Sequence, residues 1–166
     1  MLRDRLQMQY TIIGDGDDRG RLENLADELG IRRYVHFLGH RVPFEMPRFY
    51  RDADLFLLAS KRSQRDVESF GIAYIEAAAS GVPAICSAEG GSTDAVLEGI
   101  SGIIIPDSTS DTIAKGIREF CESRSQFSPE RIRAFAEQFR RPKLVAEIRA
   151  RMIAELERNG DRYARH

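Results

Sequence analysis

Apolar residues fall into two alternating rhythms along the chain: short β-rich runs, and stretches with an apolar residue every three or four positions. Tyr10–Ile13 reads as a strand. Asp17 and Asp18 then start a helix that ends at Gly30, and its Leu22, Leu25, Ala26 and Leu29 recur as one buried face requires. Tyr34–Leu38 is the next strand, and Pro43 starts a short helix carrying Met46, Phe49 and Tyr50. Asp54–Leu58 is a nearly continuous apolar strand, followed by a polar loop over Lys61–Val67. Gly71 opens a helix, and Pro83–Cys86 and Gly102–Ile105 complete the strands. From Thr109 the pattern is helical, with breaks near Ser125–Pro129 and at Pro142. Continuous apolar strands between helices predict an α/β fold, a Rossmann-like parallel sheet covered on both faces. No repeat or low-complexity linker divides it, so 1–158 reads as one domain, helical from about 109, with 159–166 a polar tail.

Charge narrows the partners. Lys plus Arg total 25 and Asp plus Glu 26, a formal charge of −1, so no global basic field exists to hold nucleic acid. Basic residues gather late (Arg131, Arg133, Arg140, Arg141, Lys143, Arg149, Arg151) but alternate with Glu130, Glu137, Glu147 and Glu155. That mixture reads as a solvated helical face, with a patch for anionic lipid or a partner domain as the alternative. Cys86 and Cys121 form no disulfide framework, and with His36, His40 and His166 they make no metal-binding spacing. The expectation is no metal site and no resident cofactor. There is no transmembrane-length apolar run and no signal-peptide pattern, so a cytoplasmic domain is expected.

The most informative stretch runs from Glu68 to Pro83. Glu76 is the only charged residue between Ser69 and Ala79, on a helix otherwise built of Ile, Ala and Tyr. A carboxylate on a mostly buried helix needs solvent or a partner. Gly71 at the helix start leaves the first backbone N–H groups free, and with the positive end of the dipole these suit a phosphate. Glu68 sits at that mouth and Glu76 lies further along. A group with both phosphate and vicinal hydroxyls satisfies all three features, and a sugar nucleotide is such a group.

Glu-x-Phe-Gly-x-x-x-x-Glu-Ala over Glu68–Ala77, followed by Ser80-Gly81-Val82-Pro83-Ala84-Ile85, resembles the signature of retaining family 4 glycosyltransferases of the GT-B fold. Ile12-Ile13-Gly14-Asp15-Gly16, Val35–Gly39, Ala53–Ser60, Gly90-Gly91 and Gly102–Pro106 follow in that family's order and spacing. Asp66-Val67-Glu68 further resembles the branch that includes phosphatidylinositol mannosyltransferases, a lean toward GDP-mannose. The resemblance implies the C-terminal, donor-binding half of a GT-B fold. It also implies an N-terminal, acceptor-binding half, supplied by a further domain or a partner chain, through which a membrane surface would be reached at its inner face. In the family a strand with Gly-Arg and a following Lys, which contact the donor diphosphate, lie just upstream of Gln9. Met1–Gln9 holds no counterpart, so the fold is expected to lack the family's first strand. The edge beside Tyr10–Ile13 is then expected to close by re-pairing or by homodimerisation.

By the same resemblance Glu76 accepts hydrogen bonds from the ribose hydroxyls, and Glu68, the candidate catalytic residue, stands at the donor sugar. Whether Glu68 is a nucleophile or a front-face bystander stays open. Phe70, Gly71 and Ile72 would present backbone N–H groups to the donor. Gly14 and Gly16 would form a phosphate-approach turn, for which a simple strand-to-helix turn is the equal alternative. Gly39 would border the base. Gly91, with Ser92 and Thr93 heading another helix, would be a second anion or sugar site. Lys61, Arg62 and Arg65 lie where they would substitute for the upstream cations, although a solvated loop is the plainer reading. His36 and His40 receive no catalytic role, because His36 alternates with Val35 and Phe37 in a strand.

The function expected is hexosyl transfer from a nucleoside diphosphate sugar, GDP- or UDP-linked, to an acceptor hydroxyl with retention. The isolated chain is expected not to turn over. The rivals are a non-catalytic nucleotide-binding or assembly module that needs a partner chain, and a nicotinamide-binding Rossmann domain. The last explains the alternation but not Glu68 and Glu76.

Overall fold

The computed structural model describes residues 8–60, 71–89 and 91–140, which fall into two compact units divided between Phe49 and Tyr50. In the first unit, β1 (Tyr10–Ile13) pairs in parallel with β2 (Val35–Gly39), with Tyr10 opposite Val35 and Ile12 opposite Phe37. Among the described residues β1 has no other strand partner. Between them runs α1 (Arg19–Glu28), whose cap residue Asp18 makes no side-chain capping bond. Its predicted buried face is covered only in part. Ala26 is buried, whereas Leu25 and Leu29 remain 41% and 45% exposed. Neighbouring strands lie about 5 Å apart and a helix is about 10–12 Å across, so a two-stranded ladder offers less surface than an amphipathic helix can use.

A 3₁₀ turn at Pro43–Glu45 leads into α2 (Met46–Arg51), whose last turn carries the buried Tyr50 into the second unit. That unit is built on three parallel strands in the order β3 (Phe56–Leu58), β4 (Ala84–Ser87), β5 (Gly102–Ile105). Their register sets Leu57 opposite Ile85 and Ile85 opposite Ile103. The third predicted strand is thus shorter than Asp54–Leu58, and Phe56 N–H bonds the Pro83 carbonyl at its start.

β4 lies between two strands and is buried along its whole length. Strand side chains alternate between faces, and the two packed clusters follow that alternation. Ala84 and Cys86 pack with Tyr74 of α3 (Ile72–Ala79), with Ala95 and Val96 in the same cluster. Ile85, Ile103 and Ile105 pack on Phe120 of α4 (Ser110–Ser123). The sheet is therefore covered on both faces, as its continuous apolar strands require. Thr109 caps α4 by accepting from the Thr112 N–H. Ser128 and Pro129 open α5 (Pro129–Ala136), whose Ile132 and Ala136 close on Ala78 of α3. Three walls thus hold α3: the sheet, the 3₁₀ turn Gly91–Ala95 and α5.

Candidate functional site

α3 divides into two faces. Tyr74, Ala77 and Ala78 point into the core, while Glu76 is exposed and Ile72, one turn before it, is 70% exposed. A carboxylate on such a helix was expected to need solvent or a partner, and Glu76 has both. The Tyr50 hydroxyl donates to Glu76 Oε2 at 3.1 Å, and Tyr50 itself is only 5% exposed. Burial of the phenol, followed by the Glu76 charge and this hydrogen bond, pushes the Tyr50 pKa well above the ordinary tyrosine range. Protonated at neutral pH like any tyrosine, the phenol is free to donate to the carboxylate. The sequence reading placed Tyr50 only in an apolar stripe; its partner is 26 positions away, and no local spacing signals such a pair.

Gly71 caps α3 in the left-handed region, at φ 68° and ψ 58°. A Cβ there would stand 2.4 Å from the Tyr74 ring. The absent side chain thus makes room for a tyrosine of its own helix, a reason the sequence reading did not contain. Tyr74 is held at its far end by a hydrogen bond from its hydroxyl to the Leu58 carbonyl. Glu68 and Phe70 lie outside the described residues, as do Lys61, Arg62, Arg65 and Gly90.

Gly14, Gly16 and Gly39 belong to the first unit, and the structure brings two of them together. Gly14, just past the end of β1, donates its N–H to the carbonyl of Gly39, the last residue of β2, at 3.0 Å, and both residues have positive φ. The Gly16 carbonyl accepts from Arg19 N–H and its own N–H donates to Asp15 Oδ1, which shapes the turn into α1. Arg19 is a second residue the sequence reading missed. Its guanidinium bonds Glu23 at 3.2 Å and the Phe37 carbonyl at 3.4 Å, and lies 3.2 Å from where a Gly39 Cβ would be. His36 is exposed on β2. Gly91 opens a five-residue 3₁₀ turn, Gly91–Ala95, rather than the helix expected there. Among the described residues no three His, Cys, Asp or Glu side chains are grouped to hold a metal.

The second unit therefore presents a carboxylate with one oxygen fixed by a phenol and acceptor capacity left toward solvent. That suits a ligand with adjacent hydroxyl donors. Parallel strands under flanking helices make this an α/β fold of the GT-B type. The chain belongs to the family described as glycosyl transferases group 1, whose model matches residues 1–139.

It is 42% identical over 93 residues to the D-inositol 3-phosphate glycosyltransferase of Corynebacterium urealyticum, covering 55% of this chain and 21% of that protein. It is 32% identical over 109 residues to the GDP-mannose-dependent alpha-(1-6)-phosphatidylinositol monomannoside mannosyltransferase of Mycolicibacterium smegmatis, covering 64% and 28%. The chain thus matches about a fifth to under a third of these relatives' lengths. Among solved structures, Anabaena Alr3699/HepE in complex with UDP shares the fold at TM-score 0.74 and 23% identity, over 90% of this chain and 42% of that one. The C-terminal domain of a glycosyl transferase group 1 family protein (LpcC) from Francisella tularensis does so at TM-score 0.68 and 21% identity, over 82% and 72%.

Proposed function

We propose that this chain is the nucleotide-sugar-binding half of a retaining glycosyltransferase, with Glu76 accepting the ribose hydroxyls of a GDP- or UDP-linked hexose. The observation that carries the reading is the exposed Glu76 carboxylate, held at one oxygen by Tyr50 on a helix whose opposite face, Tyr74, Ala77 and Ala78, is packed into the core. A vicinal diol offers the two donors that such a carboxylate accepts well. The name of one relative specifies GDP-mannose as donor, and one fold neighbour is seen with UDP, which supports a nucleoside diphosphate sugar as ligand class. The match to a C-terminal domain supports placing the acceptor site on another domain or partner chain. In the complete enzyme, backbone N–H groups at the start of α3 would stabilise charge on the departing diphosphate. No resident cofactor belongs to this reading; the nucleotide sugar is the substrate.

Thermal melting with UDP, GDP, ADP and their sugars tests it, on the native chain and on Glu76→Gln. A ligand at 100 times its Kd stabilises the folded state by about 2.7 kcal/mol, which for a chain this size raises Tm by roughly 5–10 °C. The expected result is such a rise for one base, lost in Glu76→Gln. A cooperative melt that no nucleotide moves would overturn the proposal and leave the non-catalytic assembly module in its place.

A further inference from the structure

We propose that Tyr50 is a positioning residue that sets the Glu76 carboxylate for a ribose diol; this rests on the donor-binding reading above. A glutamate side chain ends in a torsion with broad, poorly defined preference, so an exposed carboxylate samples many orientations. The Tyr50 hydroxyl removes much of that freedom by donating to Oε2 at 3.1 Å. One phenol proton occupies one of the carboxylate's several acceptor positions, leaving Oε1 and a lone pair of Oε2 for a ligand. Orienting an acceptor before the ligand arrives lowers the ordering cost of binding.

The phenol is itself held in place by packed rings. Tyr50 meets Phe56 edge to face, with centroids 5.6 Å apart and planes at 80°. Phe56 meets Tyr74 in the same way, at 5.5 Å and 75°. Tyr74 in turn occupies the space a Gly71 side chain would fill and is anchored on the Leu58 carbonyl. A single series of three rings therefore runs from Glu76 to the start of the same helix. Tyr50 alone has its hydroxyl aimed at the carboxylate proposed to meet ligand. A tyrosine serving only to fill the core would not need that hydroxyl, and Tyr50→Phe removes the hydroxyl while keeping the ring.

The test is titration calorimetry with UDP, GDP and ADP and with the 2′,3′-dideoxy form of each, on native chain, Tyr50→Phe, Glu76→Gln and the double variant. Tyr50→Phe is expected to weaken the bound ribonucleotide by about three- to thirty-fold, the dideoxy form by less than about twofold, and to add nothing to Glu76→Gln. Phe56→Leu, which keeps the hydroxyl but loosens the ring, should show a smaller loss with the same ribose selectivity. It also serves where Tyr50→Phe folds too poorly to titrate. Equal losses for ribose and dideoxyribose forms would reduce Tyr50 to scaffold, and no loss at all would mean that Glu76 orients itself; either overturns the inference. If Glu76→Gln itself fails to distinguish the two sugars, or no nucleotide binds, the donor-binding reading fails with it.

Discussion

Gly71 and Tyr74 make a steric lock at the start of α3. At φ 68° an L side chain is strained, and the Tyr74 ring lies 2.4 Å from the place a Cβ would occupy. The ring cannot simply swing away, because its hydroxyl is bonded to the Leu58 carbonyl and the ring meets Phe56 in a T-shaped contact. Gly71→Ala should therefore destabilise the fold by about 1–3 kcal/mol, measured by urea denaturation. A change within about 0.5 kcal/mol, the scale of an ordinary surface substitution, would show that the lock does not exist. Legibility at this scale was uneven. Glu76 and Gly71 stood out because a lone charge and a helix-opening glycine are local signals. Tyr50 did not, since its meaning depends on a residue distant in sequence. Arg19 was equally hidden: its carbonyl partner Phe37 lies on the neighbouring strand, 18 positions away.

Among the elements, β4 governs the second unit. Ile85 is fully buried between two strands and beneath α4, and Gly116 of α4 lets the helix lie close to Ile105 and Ile85. Ile85→Ala leaves a cavity where packing is tight from several sides, so a loss of about 2–5 kcal/mol is expected in chemical denaturation. A loss below about 1 kcal/mol would mean that the cluster collapses around the gap. The strands were legible because continuous apolar runs have few other uses; Gly102–Ile105 matches its predicted span. Element ends were less so, because ladder pairing rather than composition decides where Asp54-Leu55 stops being loop and Phe56 becomes strand. The apolar face of α1 was legible as a period but not as burial. Periodicity shows which side chains share a face, whereas coverage depends on how much sheet is there to receive them. Gly91–Ala95 fell to a 3₁₀ turn, its Ala95 side chain buried in the cluster with Tyr74.

At the scale of the whole molecule, two compact units carry different parts of the family signature. The glycine turns of Gly14 and Gly39 belong to one, and Gly71, Ile72, Glu76 and Gly91 to the other. The family match spans both. The relatives are several times longer than the matched segment. Whether Glu76 receives a ribose is decided by a crystal structure of the chain grown with GDP-mannose or UDP-glucose. Ribose hydroxyls are expected within about 2.6–3.2 Å of the Glu76 carboxylate, with the Tyr50 hydrogen bond still in place. A nucleotide bound with its ribose turned away from Glu76 would contradict this expectation.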